Sequence, residues 1–277
     1  MRLLLPAMML CLLLRAETAM SASSAACRLF VTAVLPGLFP YMVLSLMLVS
    51  RVQHLSPGLL MLLGWGGGSP TGARLLPLCP SLSRRAQVRL AVSCATMSPM
   101  FLLGTVGGWL QSAPAGAAVL AGVVLGGWMA GLMAGRGRFS SGQAASAASA
   151  VPPAPLSFGA AVEQSARTML LVCGTMVMLR VFAALAAEVL PGDAALPVTT
   201  VLEVTTGTAR IAALPLPLPL RTALIAGAAG FGGMAILLQN RAVYPEGLMP
   251  LTAQILWQAV HGVISFLLTL GLMCLLP

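Results

Sequence analysis

The sequence predicts an all-α integral membrane protein made of two inverted repeats, each holding a re-entrant hairpin and a broken helix. Three observations carry that prediction. Of 277 residues, 58% are hydrophobic and 8% charged, more apolar surface than a soluble domain of this size can hide, so lipid must be the solvent. Polar, glycine-rich breaks interrupt apolar sequence twice in each half, at Gly66 to Arg74 and Met97 to Phe101, then at Glu203 to Arg210 and Gly230 to Met234. The spacing from Gly72 to Ser98 equals that from Gly207 to Gly233, and paired interruptions mark substrate sites in transporters with internal repeats.

Windows of about 20 apolar residues predict helices along the chain in order. They cover Leu3 to Leu14, Cys27 to Ser50, Ala91 to Leu110, Ala115 to Ala134, Phe158 to Leu190, Arg221 to Leu238 and Leu251 to Leu276. Residues 1–26 form an N-terminal segment, read as an uncleaved first helix, with a cleaved signal peptide as the alternative because Ala19 to Ala26 is a run of small residues. Pro36 and Pro40 each remove a backbone donor and predict a kink in the second helix. Leu59 to Cys79 and Pro197 to Pro219 are apolar but broken, as hairpins that dip into the bilayer and return would be. Gly122, Gly126, Gly127, Gly131 and Gly135 form a ridge that lets a neighbouring helix approach closely. The chain thus divides into 1–26, a first repeat over 27–135, a Ser/Ala/Gly/Pro-rich cytoplasmic linker over 136–157, and a second repeat over 158–277.

The net charge of +9 comes from fifteen arginines with no lysine, mostly scattered singly, which argues against a nucleic-acid face. Arg51, Arg84, Arg85, Arg89, Arg136, Arg138 and Arg241 predict the cytoplasmic side and Arg15, Arg28 and Arg221 the other, so the hairpins enter from opposite faces. The six cysteines form no CxxC pair and, with His54 and His261, no metal-ligand spacing, so no metal and no cofactor is expected. Without HExxH, a serine/histidine pairing or clustered carboxylates, the sequence points away from an enzyme. Trp65, Trp109, Trp128 and Trp257 are expected as interface anchors.

Arg74 and Arg210 follow hairpin glycines Gly72 and Gly207 and are expected inside the membrane. There they either hold a carboxylate or phosphate between two guanidinium forks, or pair with Glu203 and free carbonyls. Glu203 neutralises an arginine, binds a coupling cation or relays protons. Ser69, Thr71, Ser98, Thr205 and Thr206 offer hydroxyls either to a ligand or to the broken backbone.

The runs Val34 to Ser45, Gly68 to Ala73 and Ser98 to Gly107, with Glu203 to Gly207 and Gly230 to Met234, resemble the sporulation integral membrane protein family of the YlbJ type. That family belongs to the gate, or nucleoside recognition, superfamily. The resemblance covers about Cys27 to Arg241. It implies the fold of concentrative nucleoside transporters, with hairpin tips at Gly68 to Ala73 and Glu203 to Gly207 and unwound helices at Thr96 to Met100 and Phe231 to Met234. Ser69-Pro70-Thr71 stands where nucleoside carriers have Gln-Thr-Glu, which points away from nucleoside itself, and the family's link to sporulation implies dipicolinate as a candidate cargo.

Together these readings predict a multi-pass carrier in the cell membrane, a forespore membrane included, that moves a small organic anion by alternating access. The substrate would be held by Arg74, Arg210, Glu203, Ser69, Thr71, Thr206 and Ser98 around Gly72, Gly207 and Gly233. A nucleoside-type carrier and a non-transporting scaffold of a sporulation complex are the alternatives. The expected partners are the anionic substrate and the bilayer, with a coupling ion unspecified, a homo-oligomer compatible, and no nucleic acid.

Overall fold

The computed structural model describes residues 4–52, 56–78, 82–136, 155–190 and 192–275, and every regular element among them is helical. Helix α1 (Leu4–Leu14) bends at Arg15 into α2 (Ala16–Leu29), which continues through a π-helical stretch, Phe30–Val34, into α3 (Leu35–Val49). The wider π turn lies just before Pro36, whose missing N–H disturbs the regular ladder. The first interrupted pair follows as α4 (Pro57–Gly67) and α5 (Thr71–Leu75), ending in a 3₁₀ turn, Leu76–Leu78. The broken helix expected over Ala91 to Leu110 starts earlier, as α6 (Arg84–Ser93), and is interrupted at residues 94–98 before a second π stretch, Phe101–Val106, and the short α7 (Gly107–Trp109). Helix α8 (Ala113–Ala134) closes this half.

The second half has the same order. Long helix α9 (Phe158–Val189) precedes the interrupted pair α10 (Gly192–Leu202) and α11 (Val204–Ala212), the broken helix α12 (Leu218–Phe231) and α13 (Gly233–Val243), and the closing helix α14 (Leu251–Leu275). Ser56, Ser83, Ser112 and Ser157 fix four helix starts: each side chain accepts the backbone N–H three residues on, at 3.2, 3.3, 3.2 and 3.2 Å. Five stretches, Ala16–Val49, Ala113–Ala134, Phe158–Val189, Leu218–Val243 and Leu251–Leu275, are long and apolar enough to cross a bilayer. The chain therefore has the makeup of a multi-pass membrane protein.

One expected boundary moves. The Ser/Ala-rich run set apart with residues 1–26 is helical and joins the next helix without a break, because Ala22 and Ala26 are buried and α2 packs along α9. Helix α1, apolar on nearly every face and exposed, has 11 residues, so it rises only about 16 Å and is too short to span. The linker expected over 136–157 falls largely on 137–154, and His54, Cys79 and Arg138 likewise lie outside the described residues.

The glycine ridge packs α8 between α14 and α6. A Cβ on Gly126 would come within 3.0 Å of Ser265 N, and one on Gly127 within 2.9 Å of the Ser93 carbonyl. Polar ties gather one end of the bundle: Ser50 Oγ accepts Leu156 N–H at 3.0 Å, Arg241 Nη1 donates to the Met249 carbonyl at 3.3 Å, and Arg84 Nη2 reaches the Gly247 carbonyl. At the other end Arg15 pairs with Glu188 at 3.4 Å.

Candidate functional site

Each interrupted pair turns inside the protein and rests its turn against the break of its own half. Gly68 has φ +67°, a conformation L residues avoid, and a Cβ there would sit 2.7 Å from Ser98 Cα and 2.8 Å from the Met97 carbonyl carbon. Ser69 N–H bonds the Thr96 carbonyl at 2.6 Å, tying turn to break. In the second half Gly232 and Gly233, at φ +76° and +65°, form the break, and a Cβ on Gly233 would come within 3.0 Å of the Val201 carbonyl at the turn. Only glycine allows these approaches.

Between the two turns and the two breaks lies a buried chamber. The first half supplies Ser69, Met97, Ser98 and Phe101, the second Glu203, Val204, Thr205, Ala235, Ile236 and Gln239, and the long helices close the sides with Val34, Leu38, Val172 and Met176. Both π stretches reach it, through Val34 and Phe101. Its volume is about 40 Å³, room for little more than a water molecule, so the chamber is narrow.

Glu203, 1% exposed, caps α11. Its Oε1 accepts Thr205 N–H at 2.9 Å, and its Oε2 accepts Thr206 N–H at 2.7 Å and the Thr206 hydroxyl at 2.5 Å. Thr206 Oγ1 in turn accepts from Arg180 Nη1 at 2.6 Å, so a chain of bonds leads from the buried carboxylate to a guanidinium. Ser69 Oγ donates to Asn240 Oδ1 at 2.5 Å, Ser98 Oγ accepts Phe101 N–H at 3.3 Å, and Gln239 Nε2 donates to Thr175 Oγ1 at 2.8 Å. The unused capacity in the chamber is then mixed: a lone pair on Glu203 Oε1, the Ser69 oxygen and Gln239 Oε1 as acceptors, and the hydroxyl hydrogens of Ser98 and Thr205 with the second Gln239 Nε2–H as donors.

Of the expected site residues, Ser69, Ser98 and Glu203 meet in the chamber. The guanidinium clamp does not form. Arg74 lines a cavity with Glu163, Gln164, Arg167 and Thr168 on the first turns of α9, whereas Arg210, exposed, lines another with Arg180, Ala183, Ala184 and Ala187 near its last turns. The chamber touches α9 in between, at Val172 and Met176, and Thr168 and Arg180 are themselves about 18 Å apart along the helix. Each arginine lies past its turn on the returning helix, and the two returning helices lead to opposite ends of α9. Distance from the turn therefore takes the arginines apart.

Gly72 and Gly207 are packing glycines. A Cβ on Gly72 would come within 3.2 Å of Gly64 Cα, and one on Gly207 within 2.6 Å of Thr200 Cα, so each lets its returning helix press on the entering one. Thr71 is buried away from the chamber, and its hydroxyl has no hydrogen-bond partner. Thr206 faces the Arg210 cavity while bonding Glu203. Trp65, expected at an interface, donates its indole N–H to the Ser93 carbonyl at 2.9 Å. Arg180, Gln239 and Asn240 were not anticipated. An arginine inside an apolar helix is a functional candidate by default, and that signal was open at Arg180.

The architecture and chamber define a multi-pass helical membrane protein with a buried polar site midway along α9. No family model, curated protein or solved structure matches the chain. The likeness to sporulation membrane proteins stands on the motifs alone.

Proposed function

We propose that this protein is a carrier that moves a small solute across a membrane by alternating access, the chamber between the two turns and two breaks being its binding site. One observation carries the reading: four interruptions, each expensive in lipid, converge on a single cavity lined by buried residues, with a further cavity towards each end of α9. The repeated element order is read as an inverted repeat whose hairpins enter from opposite faces. The end that gathers Arg84, Arg85, Arg89, Arg136 and Arg241 is then cytoplasmic.

Apolar walls and one carboxylate with a free lone pair favour a solute with a compact apolar body that presents N–H or O–H donors. Glu203 Oε1, Ser69 Oγ and Gln239 Oε1 receive those donors, and Ser98, Thr205 and the second Gln239 N–H donate back. An organic anion, dipicolinate among them, remains the second reading, supported by Arg74 at one mouth and by Arg180 and Arg210 at the other, and by the resemblance to the sporulation family. Steering by charged mouths raises encounter without fixing what the centre holds.

Uptake by proteoliposomes tests both. Radiolabelled nucleosides, small amines and aromatic dicarboxylates are offered in parallel, with Gln239→Leu and Ser98→Ala as chamber variants. Donor-bearing neutral solutes are expected to enter and to lose about tenfold or more in apparent affinity in either variant, since each leaves a polar partner unmatched. Transport of dicarboxylates alone, insensitive to both variants, would replace the first reading by the second, and no protein-dependent uptake of any class would remove the carrier assignment.

A further inference from the structure

The cavity at the far end of α9 has a chemistry of its own. It measures about 380 Å³, lies among α2, α9, α10 and α11, and has alanines, Ala22 and Ala183 among them, on its walls. Two guanidinium groups face it. Arg180 Nη1 bonds Thr206 Oγ1 at 2.6 Å and Arg210 Nη1 bonds Thr199 Oγ1 at 3.4 Å. Among the described residues neither has a carboxylate within ion-pair distance, although Glu17 lines the same cavity and Arg15 nearby is paired with Glu188. Two like charges sharing one cavity repel each other, and most of their N–H donors are unused.

We propose that this cavity is an anion site for a phosphate group, held between the Arg180 and Arg210 forks. A carboxylate is satisfied by one fork. Two forks arriving from different helices match a tetrahedral group with oxygens pointing several ways. The cavity sits near the end of a membrane-crossing helix, so the phosphate is either free in solution or carried by a lipid headgroup. Its occupant would compete with Thr206 for Arg180, and Thr206 also donates to Glu203 at 2.5 Å. Filling the site therefore loosens one support of the chamber carboxylate, a consequence that, unlike the site itself, rests on the carrier reading.

The test uses thermal unfolding of the full chain in micelles of a maltoside detergent, which carries no phosphate, titrated with inorganic phosphate against chloride at constant ionic strength. A saturable rise in midpoint is expected, with apparent affinity weakened about tenfold or more in Arg180→Gln and in Arg210→Gln and unchanged in Arg136→Gln at the opposite end. Arg180→Lys, which keeps the charge and loses the fork, should fall between and serves if the glutamine variant does not fold. In the same micelles with phosphatidylglycerol added, a headgroup occupant would raise the wild-type midpoint and abolish the response to added phosphate, and the two arginine variants would lose that rise. Stabilisation of equal size in all three glutamine variants, or none from either probe, overturns the site. Neither outcome touches the uptake experiment, which reads the central chamber.

Discussion

At the first turn the chain passes through Gly68, Ser69 and Pro70, all neutral, and braces itself on the other half, Ser69 donating to Asn240. At the second turn it passes through Glu203, whose carboxylate is held by Thr205 and Thr206, two and three residues further on. The element order around the two turns is the same. Backbone plan and side-chain chemistry are thus separable. Glycines set how closely turn and break approach, and the polar residues at the turn decide whether the hold is local or spans the two halves.

The largest break in that comparison should come from Glu203→Ala. It strands two backbone donors and a hydroxyl at a buried helix start, which should lower stability by roughly 3 kcal/mol, the sum of a lost cap and lost charge-assisted bonds. Glu203→Gln keeps one acceptor and should lose about half as much. Thermal midpoints of the two variants measure this. If Ala and Gln behave alike, the turn is not held by the carboxylate and the contrast with the first turn collapses.

The glycines give the next effect. Gly68→Ala forces an unfavourable φ and drives a methyl group onto the backbone of Ser98, which has no flexible end to yield, at a cost of about 2–3 kcal/mol. Gly233→Ala meets a carbonyl at 3.0 Å at a similar φ and should cost less, about 1–2 kcal/mol. Midpoint shifts in the reverse order would mean that the second turn, and not the first, is the tighter fit.

The helices Phe158–Val189 and Leu251–Leu275 were legible because long apolar runs leave no other solution in lipid, and the four breaks because glycine and hydroxyl residues interrupt such runs. Glu203, Ser69 and Ser98, which line the chamber, stood out in the sequence for the same reason. The continuation of the second helix back to Ala16 was hidden, since a Ser/Ala run has little hydropathy and its burial comes from fitting along α9. The separation of Arg74 from Arg210 was also hidden. Both follow a hairpin glycine closely, but seven residues separate Glu203 from Arg210 on a helix leading away, about 10 Å at the α-helical rise. Proximity in sequence to a turn is not proximity to the site when the element after the turn recedes. Gln239 and Asn240 were masked by the apolar stretch before them, and only the packing of α13 against α5 and α9 brings them to Ser69 and Thr175.

The smallest effect sharpens the comparison most. If the first turn is braced across the halves, Ser69 and Asn240 must be coupled energetically although 171 residues separate them. Ser69→Ala, Asn240→Ala and the double variant form a cycle, and a single buried hydrogen bond predicts a coupling of about 1 kcal/mol. Asn240 Nδ2 has no partner, so removing the whole side chain also relieves an unmet donor and should soften the loss in the Asn240 variant. Ser69→Ala alone leaves Asn240 with both polar atoms unmatched and should be the costlier single change. Additive losses would place the Ser69–Asn240 contact outside the energetics, and the first turn would then rest on its backbone bond to Thr96 and on the fit of Gly68 against Ser98 alone.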